Sequence, residues 1–343
     1  KYNTYKKLFI PEKNKGDITL KKRIFSGMRP TGSLHIGHLS VLQNWVKLQD
    51  EYECFFGVVD WHALTTGYED KLNLKELTKE MALDWLSVGL DPQKCAIFAQ
   101  SQVKEHAELH LLLSMFTPIS WLERVPTYKD QIQQLGSEGK DLHTYGFLGY
   151  PLLMAADILV YKAAVVPVGE DQIPHIEFCR EIARRFNHLF DKVFPEPKEL
   201  IGEVPLLPGV DGRKMSKSYN NAISLTASPD EIGFRVRQMV TDPQRIRKDD
   251  PGHPEVCVVY KFHKIYSPDV TTIEQECREG KIGCVACKKY LAENIDKVLA
   301  PCRERRQMWA SEDKVEQVLA EGAEKARAVA GQTLDEVRKV MGF

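Results

Sequence analysis

The turn Arg29-Pro-Thr-Gly-Ser-Leu-His-Ile-Gly-His38 places His35 and His38 three residues apart. On a helical face that spacing aims both imidazoles at one point. Gly37 between them carries no side chain, so a flat ring can approach the backbone. The turn follows a strand-like run and leads into a helix start, where unpaired N–H groups and the helix dipole favour phosphate. This suits an in-line displacement at the α-phosphorus of a nucleotide, with two donors meeting the charge that develops there. Alone, His-x-x-His is more often two surface histidines in a loop; the strand, turn and helix around it reverse that preference.

A second segment, Pro208-Gly-Val-Asp-Gly-Arg-Lys-Met-Ser-Lys-Ser218, puts Lys214 and Lys217 with Ser216 and Ser218 on a short loop hinged at Gly209 and Gly212. Such a loop can close over a leaving pyrophosphate and neutralise charge mainly in the transition state. Read alone it is a solvated basic turn. Asp157 lies in an apolar helical run, with Tyr150 and Met154 on the same face seven and three residues before it. A carboxylate in such a run must be paired. The surrounding stretch from 147 to 169 is long enough to span a bilayer, but Pro151, Asp157, Lys162 and Pro167 argue for a helix and strand inside a folded domain.

Of eight cysteines, Cys257, Cys277, Cys284, Cys287 and Cys302 crowd into one stretch. The order Cys257-x19-Cys277-x6-Cys284-x2-Cys287 has one close pair rather than two. That fits four thiolates on an iron–sulfur cluster better than zinc, the alternative occupant. Cys302 reads as a core thiol.

These groups need a scaffold. Lys22–Gly27, Tyr52–Trp61, Ala96–Ala99 and Ala164–Val168 read as strands separated by amphipathic helices, an open α/β sheet. Ser228-Pro-Asp-Glu231 is a capping box that opens a helical region, and Thr333-Leu-Asp-Glu336 predicts one more short helix. We therefore expect a boundary near 225 and two units in 343 residues. With 47 basic and 48 acidic residues, a polyanionic partner must meet a local patch. Between Cys257 and Arg306 there are ten Lys/Arg against seven Asp/Glu, ending in Arg303-Glu-Arg-Arg306, with Tyr260, Phe262, His263 and Tyr266 as stacking candidates or as core. Residues 1–22 hold seven lysines and no apolar signal segment, so we expect a cytoplasmic, reducing setting and no membrane partner.

His35-Ile-Gly-His38 and Lys214-Met-Ser-Lys-Ser218 are letter for letter the HIGH and KMSKS signatures of class I aminoacyl-tRNA synthetases. Ile24–Gly27, Val59–Leu64, Tyr150–Tyr161, Val166–Gln172 and Val318–Ala326 resemble the bacterial-type tryptophanyl branch, and the resemblance runs from about residue 23 to the end. The four-cysteine run resembles a subset that carries a C-terminal 4Fe–4S cluster.

The resemblance implies an extension (1–22), a Rossmann-type catalytic domain (23–225) and a helical, tRNA anticodon-binding domain (226–343) carrying Cys257, Cys277, Cys284 and Cys287 as metal ligands. ATP with Mg2+ would contact Arg29, Pro30, Thr31, Gly37, His38, Gly169, Glu170, Asp171, Leu206, Lys214, Met215, Ser216, Lys217 and Ser218. His35, His38, Lys214, Lys217 and Thr31 would act in catalysis. Tryptophan would contact Phe25, Gly27, His62, Tyr150, Met154, Asp157 and Gln172, with Asp157 accepting the indole N–H. Arg29 departs from the glutamine common there. Tryptophan would first be joined to AMP and then passed to tRNA(Trp), by a homodimer. The rival readings are a tyrosyl-tRNA synthetase, an HxGH nucleotidyltransferase acting on a small-molecule acceptor, and a non-enzymatic paralogue kept for RNA or iron–sulfur binding.

Overall fold

The computed structural model describes residues 21–136, 140–202, 207–216, 219–311 and 313–343. The chain opens with β1 (Arg23–Met28), α1 (Leu39–Glu51), β2 (Glu53–Val58), α2 (Asp60–Gly67), α3 (Leu74–Val88) and β3 (Cys95–Ala99). Then come α4 (Glu105–Ser114), α5 (Ile119–Glu123), α6 (Pro126–Gly136), α7 (Tyr145–Leu148), α8 (Tyr150–Leu159), β4 (Val165–Val168), α9 (Ile173–Leu189) and β5 (Lys198–Ile201). The remainder is helical: α10 (Pro229–Gln238), α11 (Val258–Tyr266), α12 (Val270–Arg278), α13 (Cys284–Trp309) and α14 (Lys314–Met341).

The five strands form one parallel sheet in the order β3-β2-β1-β4-β5. Its inner strands are apolar on both sides because helices cover both faces. Ile24, Cys54, Phe56 and Ile97 enter one core with α1 and α3, while Phe25, Phe55 and Phe98 enter the other with α4, α8 and α9. In the first core Trp45 stacks on Phe56 at 4.5 Å and meets Trp85 edge-on at 5.2 Å. From β1 the chain builds one side of the sheet and then, at β4, the other. The crevice between the carboxyl ends of β1 and β4 is where such sheets take ligands.

The four expected strands form, although Asp60 and Trp61 begin α2 instead of ending β2. The edge strand β5, Lys-Glu-Leu-Ile, has no apolar pattern to announce it. The capping box at Ser228 is present, with Ser228 Oγ accepting from Glu231 N at 3.2 Å and Glu231 Oε2 accepting from Ser228 N at 2.7 Å.

The later helices are not packed apart from the sheet. Val315, Val318 and Leu319 of α14 join the first core, and Ala323, Ala326, Ala330, Leu334 and Val337 join the second. Gly322 stands at the crossing, where a Cβ would lie 1.9 Å from the Ile97 carbonyl oxygen. The helix thus rides directly on β3 and covers the edge of the sheet. Thr333 does not open a new helix. It is buried within continuous α14 and donates from Oγ1 to Val329 O at 3.3 Å, because the apolar stripe packed on the sheet runs through it.

The three arginines that end the expected RNA patch are used internally. Arg305 donates to Ser87 O and Val88 O at the end of α3, and Arg306 pairs with Asp84 and Glu80, each at 2.5 Å. Arg303 bonds Ala227 O at 2.9 Å and Asp296 at 2.5 Å. Tyr260, Phe262, His263 and Tyr266 are core residues rather than stacking platforms.

Candidate active site

His35 is extended and caps a 3-10 turn, Ile36–His38, that precedes α1. Residues three apart eclipse in such a turn. The two rings accordingly lie 3.9 Å apart, centroid to centroid. His35 Nδ1 accepts from Gly37 N and His38 Nδ1 accepts from His35 N, both at 3.2 Å. With Nδ1 an acceptor, each neutral ring carries its proton on Nε2, the atom that can donate to a phosphate. A Cβ on Gly37 would sit 2.9 Å from His35 Nδ1 and 3.4 Å from Met215 Sδ. Met215, expected among the ATP contacts, is a buried side chain facing the Gly37 backbone.

Backbone bonds join the histidine turn to the segment that follows the lysine loop. Ile36 N donates to Ile223 O at 2.9 Å and Leu225 N to Leu34 O at 3.2 Å, flanking a His35–Ser224 bridge. The lysine loop is a tight hairpin: Pro208 bridges Lys214, Gly209 N donates to Arg213 O at 2.7 Å, and Gly212 has φ 84°, a left-handed conformation that favours glycine. Buried Asn221 braces it. Its Oδ1 accepts from Ser216 N at 2.8 Å, and its Nδ2 donates to Asp211 Oδ1 at 2.8 Å and Lys214 O at 3.0 Å. Lys214 itself is exposed. Leu206, Lys217 and Ser218 lie outside the described residues, as does nearly all of the segment 1–22. From the other side Asp84 Oδ2 accepts from Leu34 N at 3.1 Å, tying the histidine turn to α3 and Arg306.

Asp157 on α8 is 1% exposed and has protein partners at both carboxylate oxygens. Its Oδ1 accepts from Gln100 Nε2 at 2.7 Å and lies 2.6 Å from His106 Nδ1; its Oδ2 is 2.8 Å from His62 Nε2. Burial alone would raise this carboxyl; the hydrogen bonds and charges of His106 and His62 outweigh it and hold the pKa at about 2. His106 Nε2 in turn lies 2.6 Å from the Tyr161 hydroxyl. Gln100, His106, Tyr161 and Asn221 were not anticipated as site residues, since nothing in their local spacing marks them.

Of the other expected residues, Phe25 on β1 stacks on Tyr161 at 5.6 Å, and Gly27 lies where β1 and β2 come so close that a Cβ would be 2.8 Å from Gly57 O. Pro30 is buried and Thr31 exposed in the turn, and Arg29 reaches Thr66 Oγ1 at 3.5 Å. After β4, Gly169, Glu170 and Asp171 are exposed, and Gln172 donates to Asp171 Oδ2 at 2.7 Å. Met154 is half-buried. Tyr150 does not reach Asp157; its hydroxyl pairs with Thr127 at 2.7 Å, and Thr127 with His175 at 2.8 Å. A cavity of about 240 Å³ opens between Trp61, Leu64, His110, Tyr145, Gly149 and Leu153, lined by the chain neighbours of His62, Tyr150 and Met154 rather than by those residues themselves.

Among the described residues no group of three or more His, Cys, Asp or Glu is arranged to hold a metal ion. The four expected cysteines are nevertheless neighbours. Cys257 precedes α11, Cys277 is near the end of α12, and Cys284 and Cys287 are in the first turn of α13. Burial, then the Cys257, Cys277 and Cys284 sulfurs, push the Cys287 thiol up to about 12. Arg245 Nη1 lies 3.9 Å from Cys277 Sγ, and His263 Nε2 lies 3.2 Å from Cys287 Sγ.

Residues 19–300 match the family of tRNA synthetases class I (W and Y). The chain is 54% identical to the tryptophan–tRNA ligase of Thermotoga maritima, over 94% of this chain and 99% of that protein. It is 46% identical to the tryptophan–tRNA ligase of Aquifex aeolicus, over 94% and 100%. The structure of tryptophanyl-tRNA synthetase from Campylobacter jejuni complexed with ADP and tryptophan superposes with a TM-score of 0.84 at 33% identity, covering 94% of this chain and all of that one. The chain belongs to the class I tRNA synthetases of the tryptophan and tyrosine group.

Proposed function

We propose that this enzyme is a tryptophan–tRNA ligase, activating L-tryptophan with ATP and transferring it to tRNA(Trp). The observation that supports the activation chemistry is that the histidine turn is bonded through backbone to the segment following the lysine loop, with Met215 of that loop against Gly37 of the turn. The tryptophan carboxylate attacks the α-phosphorus of Mg-ATP; the new acyl–phosphate bond forms as the bond to pyrophosphate breaks. No protein nucleophile takes part. His35 and His38 donate from Nε2 to the phosphates, and Lys214 and Lys217 stabilise the departing charge. Thr31, Arg29, Pro30, Gly37 and Met215 shape the nucleotide site with Ser216, Ser218 and Leu206, and Gly169, Glu170 and Asp171 meet the ribose side. The 2′-hydroxyl of the terminal adenosine then takes the acyl group and releases AMP.

Tryptophan is preferred to tyrosine on the similarity to the tryptophan–tRNA ligases above; Asp157 alone would suit a phenol O–H as well as an indole N–H. We assign the indole N–H to this carboxylate, with Phe25, Gly27, His62, Met154 and Gln172 around it. Tyr150 acts indirectly, through Thr127 and His175. A site built on a buried acceptor rejects a ring that lacks a donor, such as that of phenylalanine. The test is amino-acid-dependent exchange of pyrophosphate into ATP: tryptophan supports it and tyrosine does not, and the reverse result overturns the reading.

We also assign a 4Fe–4S cluster to Cys257, Cys277, Cys284 and Cys287. The support is the spacing of four soft donors, from the start of α11, the end of α12 and the first turn of α13, with Arg245 and His263 placed as N–H donors to the sulfurs of Cys277 and Cys287. Anaerobically purified protein should contain about four iron and four sulfide per chain and show visible charge-transfer absorption; zinc alone, or no metal, would refute the assignment. The exposed side chains Leu111, Met115, Ile119, Leu189 and Phe190, grouped around Phe116, support a homodimer through this face. The eight cysteines are all outside disulfides, which supports a cytoplasmic setting, and among the described residues no helix is long and apolar enough to cross a membrane.

A further inference from the structure

The polar chain behind Asp157 has more members than an indole acceptor needs, and its order carries information. Tyr161 Oη is buried, and among the described residues its hydrogen-bond partner is His106 Nε2, at 2.6 Å. A buried O–H without an acceptor is costly, so the hydroxyl donates and Nε2 accepts. That fixes the His106 tautomer: the ring proton is on Nδ1, which donates to Asp157 Oδ1 at 2.6 Å. Gln100 donates to the same oxygen. Oδ1 is thereby filled by two donors, whereas Oδ2 has His62 alone and keeps acceptor capacity for one more N–H. The Tyr161 ring is locked by stacking on Phe55 at 4.5 Å and Phe25 at 5.6 Å.

We propose that Tyr161, acting through His106, is a positioning residue for amino-acid specificity: it fixes the proton on His106 Nδ1 and so turns Asp157 Oδ2 toward the substrate N–H. This deepens the assignment of Asp157 to the indole and rests on it. A carboxylate tied at one oxygen by two donors cannot rotate to offer both oxygens alike. Without the hydroxyl, Nε2 loses its donor, the proton can move to Nε2, and Oδ1 loses a partner. Aromatic volume and stacking survive in Tyr161→Phe, so the variant isolates the hydroxyl.

The test compares wild type, Tyr161→Phe, His106→Leu and Asp157→Asn by pyrophosphate exchange, using tryptophan and its benzothienyl analogue, which replaces the N–H by sulfur. Tyr161→Phe should raise KM for tryptophan about three- to tenfold, as expected for one lost hydrogen bond, leave KM for ATP within twofold, and reduce the preference for tryptophan over the analogue. His106→Leu should do so more strongly. A lower melting temperature with unchanged KM and unchanged preference in Tyr161→Phe would overturn the proposal, whether or not His106→Leu folds. If Asp157→Asn itself leaves the preference unchanged, the assignment of Asp157 to the indole fails, an outcome separate from failure at Tyr161.

Discussion

At the residue scale, Asp157 shows how a buried charge is tolerated. Gln100, His106 and His62 supply the compensation that water would otherwise give, and the carboxyl stays ionised with a pKa at about 2. His175 makes the opposite case. Burial first, and then the neighbouring His62, lower it from 6.5 to about 4 while it bonds Thr127. Because its folded pKa lies below its unfolded one, the unfolded chain binds the extra proton. Its contribution to stability is complete above about pH 6.5 and declines as pH falls toward 4. We expect the melting temperature to fall between about pH 7 and about pH 5, and His175→Gln to flatten part of that slope. An unchanged slope in the variant would show that His175 does not titrate this way. The chemistry of His35, His38 and Lys214 was legible because each motif is local in sequence. The partners of Asp157 were not, since His106 and Gln100 lie 51 and 57 positions away and only folding brings them together.

At the element scale, two loops function as one because short stretches of backbone pair across them. Ile36, Leu34, Ile223 and Leu225 provide the bonds, and Asn221 holds the lysine hairpin closed. Removing that brace in Asn221→Ala deletes three hydrogen bonds at a buried position. Steady-state kinetics should then show KM for ATP raised roughly tenfold, with KM for tryptophan nearly unchanged; a variant that loses stability while keeping KM for ATP would contradict the bracing role. Strands β1 to β4 and the helix capped by Ser228 could be read from apolar runs and capping chemistry, while the edge strand β5 could not. What misled was charge without geometry: Arg303, Arg305 and Arg306 look like a patch for phosphates until α13 lies on α3 and they meet Ala227, Ser87, Asp84 and Glu80. Thr333 misled similarly, because a cap signature has no force inside a helix already held against a sheet.

At the scale of the whole molecule, sheet and helices form one packed body. Helix α14 passes from one core to the other over Ile97, and Arg306 connects α13 through Asp84 to the backbone of the histidine turn. An open α/β sheet was expected from the alternation of strands and helices; its strand order, with the switch between β1 and β4, and the wrap of the last helix were not, because Gly322 and its alanines look unremarkable until β3 lies beneath them. The near-neutral balance of 47 basic and 48 acidic residues leaves recognition to local groups. All of this serves one claim, that the stitched loops activate tryptophan with ATP. The most direct test is pyrophosphate exchange on the intact protein with tryptophan, with tyrosine and with no amino acid. We predict rapid exchange with tryptophan and background in the other two; exchange with tyrosine, or exchange that needs no amino acid, would contradict the account.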